Sequence, residues 1–421
     1  MKALLPLFIF IDACGWEIIK DDPFCQMIAP HRRRLESVFG YSSACVPSIV
    51  SGRWPHEHRN WCYFVYDPVH SPFRLLKPLR WLPQALTGRR IVRRWLSKLV
   101  KLHLGFRGYF DLYNLPFQHI SLFDFSEKKS PLQPGGMNCG TNIFDLLQDQ
   151  GIAYHVSNPA SSEVQNFEAV LEQIGGGRLD FAFVYWPDLD GLLHREGNTS
   201  PAIAPRLRTY ETRIRQLRDV ARQQYGEVRL YVFSDHGMAN CDRLLNLKTS
   251  IEQLPLRLGK DYAVVYDSTM ARFWFFHQRA RQLITGRLRE TPGGAIVPDG
   301  ELKRLGCLFP DRRFGELIFL AREGVLFVPS HMGQRPIRAM HGYHPDAKHS
   351  YAALLTNQLR LPDDLTAIPH LYRLMAQDAL LAHERNHHTR RRARAGRTRP
   401  PPAAAGFSPT AAALHLAERP L

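Results

Sequence analysis

The chain has 421 residues, 44% hydrophobic and 22% charged, with a formal charge of +16, which fits one large α/β domain with a cap, or two domains, rather than a disordered or fibrous protein. Its seven dispersed cysteines include no C-x-x-C pair, which excludes a disulfide framework and a cysteine zinc site and points to a reducing compartment, the cytoplasm. No apolar run reaches the roughly 18 to 20 residues of a spanning helix.

The charge is concentrated. Residues 62–110 contribute +9 and residues 383–421 contribute +6, so the remainder is near neutral.

In chain order, Leu7 to Ile11 reads as a buried strand that ends at Asp12, a common beginning for a parallel sheet. Lys2 and the apolar run before Ala13-Cys14-Gly15 imitate a signal peptide or lipoprotein site. A single Lys in the leading region and Asp12 in place of a small neutral residue oppose cleavage. Ser42-Ser43 then opens a helical segment that runs to Ser51-Gly52 and contains Pro47, tolerable in a first turn or at a kink. A serine there is an ordinary N-cap; it is also a hydroxyl beside free backbone N–H groups that suit an anion.

Residues 62–135 are aromatic, basic and interrupted by proline. Within them Arg89 to Leu104 is an amphipathic helix pattern, with Ile91, Trp95, Leu99 and Leu102 on one face. Two placements fit it: a cap helix over the site with solvated arginines, or a peripheral helix on an anionic membrane. A helix over Thr141 to Gln150, closed by Gly151, precedes a strand over Phe181 to Trp186 that leads to Asp188 and Asp190. His194 follows Asp190 at i+4, so both reach one side of a helical turn. A helix over Ala204 to Gln224, closed by Gly226, leads to a strand over Leu230 to Ser234 that ends at Asp235-His236-Gly237.

Residues 243–335 mix strand-like pieces (Tyr262 to Tyr266, Arg272 to Phe276, Val325 to Pro329) with polar loops and, like 62–135, read as a cap-like insertion. His341 and His344 follow. From residue 383 the Arg-rich and then Pro/Ala-rich composition reads as a disordered tail. Its Arg390 to Arg399 run lacks the interleaved aromatics of a nucleic-acid binder, so nucleic acid is not the expected partner.

Strands alternating with helices predict a central, mostly parallel sheet with helices on both faces. In such sheets ligands gather at the carboxyl ends of strands, where Asp12, Asp190 and Asp235 stand. Several Asp and His residues near a hydroxyl can build a two-metal phosphoryl-transfer site.

Five motifs carry a family resemblance: Phe8-Ile9-Phe10-Ile11-Asp12; Ser42 nine residues before Ser51-Gly52; Trp186-Pro187-Asp188-Leu189-Asp190 through His194; Ser234-Asp235-His236-Gly237-Met238; and His341-Gly342-Tyr343. In this order they resemble the alkaline phosphatase superfamily, and within it the type I phosphodiesterase/nucleotide pyrophosphatase branch. The resemblance implies an alkaline phosphatase-like catalytic domain over residues 1–382 with two divalent ions, zinc or alternatively manganese. Asp12, Asp235 and His236 are then implied to hold one ion and Asp190, His194 and His341 the other, with Ser42 the nucleophile of a phosphoserine reaction.

Asp188 competes with Asp190, but only Asp190 lies four residues before His194. The nine-residue count favours Ser42 over Ser43. Cys45-Val46-Pro47-Ser48 imitates a sulfatase signature, but Ile49 replaces its arginine. Cys45 also stands where many relatives place an asparagine that contacts phosphate, so Ser43, Cys45 and His344 are expected as possible substrate contacts. The implied substrate is a phosphorylated small molecule or a lipid-linked phosphate, cleaved at a phosphodiester or pyrophosphate bond. A monoesterase or phosphotransferase with the same site, a sulfatase, and an inert binding protein are the alternatives.

Overall fold

β1 (Lys2–Ile11) is apolar along nearly its whole length because both of its faces are covered. A computed structural model describes residues 2–81 and 88–397, and in it β1 lies inside a six-stranded sheet. The other strands are β2 (His31–Leu35), β3 (Tyr154–Val156), β4 (Phe181–Trp186), β5 (Tyr225–Phe233) and β6 (Ala352–Thr356), in the order β2-β6-β5-β1-β4-β3. β1, β3, β4 and β5 run parallel, while β6 pairs antiparallel with β5 and β2. The fold is the expected mixed α/β one.

Alternation along β1 builds two cores. Phe8 and Phe10 point to one face, where they stack on Tyr231 and Phe233 with ring centroids 4.5 and 5.3 Å apart. That face is closed by Ile49 and Val50 of α1 (Ser42–Ser51). Leu7, Ile9 and Ile11 point to the other and meet Leu207, Ile214 and Leu217 of a long helix, Ile203–Gln224. Truncating one of these aromatics to alanine costs about 3–5 kcal/mol.

The segments 62–135 and 243–335 pack on each other. Strands Tyr262–Tyr266, Met270–Phe275, Leu317–Ala321 and Gly294–Ile296 form a second, antiparallel sheet. Its Val265 and Trp274 join Phe64, Phe73, Phe110 and Phe125 in one aromatic cluster. Arg272, fully buried, ties the two segments: it pairs with Asp267 at 2.8 Å and donates to the Phe64 carbonyl at 2.7 Å.

Several expectations shift in detail. Gly226 does not end the preceding helix; the chain passes straight into β5 at Tyr225. The tail expected from residue 383 begins inside a helix, Leu371–Arg397. Met375, Ala379, Ala382 and Asn386 form its buried inner face, and the Asn386 amide donates to Leu4 O at 2.9 Å and Asp180 at 2.8 Å. Arginine content concealed that spacing. Residues 398–421, with the Pro400 to Ala405 stretch, lie outside the described residues. Among the described residues no helix is long and apolar enough to cross a membrane.

Candidate active site

The carboxyl ends of β1, β4 and β5 deliver the acidic residues to one place, as parallel strands do. Asp12 follows β1, Asp190 lies in the first turn of the helix Asp188–Glu196 after β4, and Asp235-His236 follows β5. His341 arrives after the short strand Ala339–Met340. The turns approach closely because of glycine: a Cβ on Gly15 would lie 2.2 Å from Gly237 Cα. Gly342, at φ +82°, leaves no room for a Cβ beside the Tyr41 ring, 2.4 Å away.

Each of the two carboxylates on the β1 and β5 side has one oxygen tied and one open. Asp12 Oδ2 accepts from Tyr185 OH at 2.7 Å, while its buried Oδ1 has no hydrogen-bond partner. Asp235 Oδ1 accepts from the Ala13 and His236 N–H groups at 3.2 and 3.0 Å, and its buried Oδ2 has none. Asp190 Oδ1 and His341 Nδ1 are likewise buried without a partner.

The histidines are oriented by carbonyls. His236 Nδ1 donates to Gly237 O and His194 Nδ1 to Ala339 O, each at 2.9 Å, since a carbonyl can only accept. This turns both Nε2 atoms toward the carboxylates: His236 Nε2 lies 3.1 Å from Asp235 Oδ2 and 3.7 Å from Asp12 Oδ1. His194 and His341 Nε2 lie 3.3 and 3.6 Å from Asp190 Oδ1. Donor atoms of Asp190, His194 and His341 all fall within 4.8 Å of one another, as do those of Asp12, Asp190 and His236. Asp190 thus stands between the two groups.

Three buried carboxylate oxygens without a hydrogen-bond partner, with imidazole nitrogens turned toward them, form a cradle for positive charge, and an all-Asp/His donor set suits divalent ions such as zinc or manganese. The electrostatics agree. Burial, followed by the charges of Asp235 and Asp190, raises Asp12 well above the usual carboxylate range. Burial opposes a charge on His236, yet Asp235, Asp12 and Asp190 outweigh it and raise its pKa to about 10. Burial also opposes ionisation of Asp190, but His194 and His341 hold it below the ordinary range.

Ser42 is the first residue of α1, and its Oγ lies 3.1 Å from His236 Nε2. The helix's first bonds run from the Ala44 and Cys45 N–H groups to Tyr41 O, so the N–H groups of Ser42 and Ser43 precede them. Ser43 turns away and donates to Trp61 O, leaving Ser42 as the hydroxyl at the cradle. Asp188 is about half exposed and 3.9 Å from Arg206, so Asp190 alone enters the cradle.

Two expected substrate contacts are corrected. Cys45 is fully buried in the core beneath α1, its thiol 3.6 Å from Ser37 Oγ, because the position three residues after Ser42 faces inward on this helix. His344 is 2.8 Å from Glu301 in a network that Arg304 also enters; it does not line the cavity at the cradle. His58 is a core histidine, bonded to Ser48 at 2.9 Å.

That cavity measures about 800 Å³ and runs from Asp12, Ser42, Asp190, His194 and His341 to Tyr63, Tyr109, Tyr113, Lys101, Arg107 and Glu127. Tyr63 packs against both Tyr109 and Tyr113, at ring-centroid distances of 5.3 and 5.8 Å, in a triangle whose third side is 6.4 Å. Burial pushes Glu127 up to about 8 against a hydrogen bond from Tyr109 N–H and the charge of Lys101. Sequence reasoning missed Tyr185 and this wall. Tyr185 was legible as the penultimate residue of a strand ending at the site; the wall has no spacing signal.

The family model for type I phosphodiesterase / nucleotide pyrophosphatase matches residues 7–344. No curated protein sequence matches the chain. Among solved structures, human ectonucleotide pyrophosphatase / phosphodiesterase 5 is similar at 15% identity and a TM-score of 0.60, over 90% of this chain and 95% of that one. Its murine counterpart is similar at 16% identity and 0.61 over the same shares. An inactive form of the murine protein in complex with AMP is similar at 16% identity and 0.60, again over 90% and 95%. At these identities the likeness is one of fold.

Proposed function

Because the chain belongs to the type I phosphodiesterase/nucleotide pyrophosphatase family and is thereby a hydrolase of phosphoester or pyrophosphate bonds, we propose that it works through a phosphoserine formed on Ser42. The observation that carries this reading is the cradle: the open oxygens of Asp12, Asp190 and Asp235 are buried without a hydrogen-bond partner, and the Ser42 hydroxyl lies beside them, 3.1 Å from His236 Nε2.

Asp12, Asp235 and His236 are suited to hold one divalent ion and Asp190, His194 and His341 the other. When bound, the ions supply Lewis-acid charge opposite the attacking and leaving oxygens. Zinc suits the donor set, and manganese is the alternative in the absence of a thiolate.

Ser42 Oγ attacks phosphorus, the bond to the leaving oxygen breaks, and that oxygen departs with the hydroxyl proton as an alcohol or phosphate. Water then cleaves the Oγ–P bond, returning the serine and releasing a phosphomonoester. The N-terminus of α1 offers backbone N–H groups and a positive dipole end to the non-bridging oxygens. Tyr185 and the Ala13 N–H hold Asp12 and Asp235 in place, so the open oxygens need not reorganise. Arg107 and Lys101 add positive charge at the far wall.

A nucleotide fits this cavity: it is phosphorylated, and AMP is bound by a neighbour of the same fold. The seven free cysteines favour a reducing compartment for the enzyme.

The test is an assay of the full chain with zinc or manganese on bis-(p-nitrophenyl) phosphate, p-nitrophenyl phosphate and p-nitrophenyl sulfate, with metal content measured in parallel. The diester is expected to be the best substrate and Ser42→Ala to be inactive with its metal retained. Full activity in Ser42→Ala would overturn the nucleophile. An acceptor alcohol that captures the phosphoryl group at the expense of hydrolysis would move the reading to a phosphotransferase.

A further inference from the structure

The helix α2 (Arg90–Leu104) is mounted with its apolar stripe outward. Ile91, Trp95, Leu99 and Leu102, each about one turn from the next, are 73%, 64%, 59% and 82% exposed. Toward the protein it presents Leu96, Val100 and Leu104 together with buried Arg93 and Ser97.

The inner face is locked. Arg93 donates to Leu115 O at 2.7 Å and lies over the Phe117 ring at 3.9 Å, and Ser97 donates to Asp111 at 2.9 Å. Rolling the helix to bury Trp95 and the leucines would turn Leu96, Val100 and Leu104 out to solvent in their place and break the bonds of Arg93 and Ser97. The stripe therefore stays at the surface in the folded chain.

A second stripe runs beside the first. Arg90, Arg94, Lys98 and Lys101 repeat the spacing of the apolar residues one position earlier, and the helix contains no acidic residue. Arg90, Arg94 and Lys98 are exposed; Lys101 turns inward, donates to Gly108 O at 2.6 Å and lines the cavity.

We propose that this face of α2 is a docking surface for an anionic lipid membrane. Apolar side chains and a Trp enter the headgroup boundary while the adjacent arginines and lysines meet lipid phosphates, the arrangement that holds an interfacial helix in the plane of a bilayer. Charge selects this occupant over a second copy of the chain: the exposed Arg90, Arg94 and Lys98 match a surface of anionic headgroups, whereas a second copy of this helix brings only the same cations and no acidic row to meet them. Docking here is independent of the phosphoserine reading, because it is measured as binding.

The test is co-sedimentation of the full chain with vesicles of equimolar phosphatidylglycerol and phosphatidylcholine, against vesicles of phosphatidylcholine alone. Preferential, salt-sensitive binding to the anionic vesicles is expected, with a blue shift of tryptophan emission that Trp95→Ser removes. Leu99→Glu/Leu102→Glu is expected to weaken binding about tenfold or more while cleavage of a soluble diester is retained, which reports folding. Arg90→Gln/Arg94→Gln, which keeps the stripe, is expected to lose the preference for anionic lipid.

Binding unchanged by the stripe substitutions, as the Arg-rich end of the chain alone would give, overturns the proposal. So does absence of binding to either vesicle, or equal, salt-insensitive binding to both. A concentration-dependent dimer in sedimentation velocity that Leu99→Glu/Leu102→Glu dissolves also overturns it, in favour of self-association.

Discussion

The carboxyl edge of the central sheet and the layer built from residues 62–135 and 243–335 hold their side chains by different means. At the sheet edge, positions are set by backbone: Asp235 is fixed by two N–H groups, His236 and His194 by carbonyls, and Gly15 meets Gly237 main chain to main chain. In the outer layer they are set by aromatic packing, with Tyr63, Tyr109 and Tyr113 clustered and Arg107 left exposed at the cavity. A backbone-fixed group stays in place when its neighbours change, whereas a packed one moves with them. Under the proposed function, chemistry belongs with the first kind and substrate choice with the second.

Four substitutions or conditions can break this division. The largest effect is expected for Ser42→Ala: a fall in kcat of roughly a thousandfold or more with metal content and melting temperature unchanged. Loss of the bound metal as well would make Ser42 part of the metal cradle rather than the attacking group. Next is Gly237→Ala. Its Cβ would lie 2.3 Å from the His349 carbonyl, so the turn carrying Asp235 and His236 must shift, with kcat falling about a hundredfold. An unchanged kcat would show that the turn tolerates displacement.

Arg107→Ala probes the outer layer, and KM is expected to rise about tenfold with kcat within about twofold, the pattern of lost ground-state binding. An equal fall in kcat would place Arg107 at the transition state and blur the division.

The smallest effect concerns acid stability of both layers. Burial, with neighbouring His56 and Arg53, lowers His58 to about 3, and burial with Lys248 lowers His331 to about 3. Both accept a backbone N–H at Nδ1, from Asn60 and Tyr266 respectively, which requires the neutral ring. Their folded pKa lies below the unfolded value of about 6.5, so the unfolded chain binds the extra protons. Stability is therefore complete above pH 6.5 and declines as pH falls toward 3, by about 1.4 kcal/mol per pH unit for each ring. Urea midpoints between pH 7 and 4 check the slope, and His58→Gln is expected to flatten it.

The site was more legible than its surroundings for the same reason. Asp12, Asp190 with His194, Asp235-His236 and His341 sit at strand ends or in fixed local spacing, so linear sequence reports their placement. β2 escaped notice because an edge strand reading His-Arg-Arg-Arg-Leu carries no apolar alternation, and β6 because Ala352–Thr356 is only five residues long, too short an apolar run to tell strand from helix. Cys45 was misplaced because a count from Ser42 gives position along a helix but not which side faces the core. The cavity wall was invisible: Tyr63 and Tyr109 meet only through the folded aromatic cluster. For α2 the periodicity was plain, but not its direction, which Arg93 and Ser97 decide.

The contact between Gly15 and Gly237 has a bearing on how such a protein can diversify. With main chain against main chain and no side chain between, there is nothing at that junction to enlarge or trim, so the separation of the β1 and β5 turns offers no graded series of variants to selection. Under the proposed function, new substrates then come by redrawing the outer layer, and a lineage that lost either glycine would carry a slowed enzyme along with any new pocket.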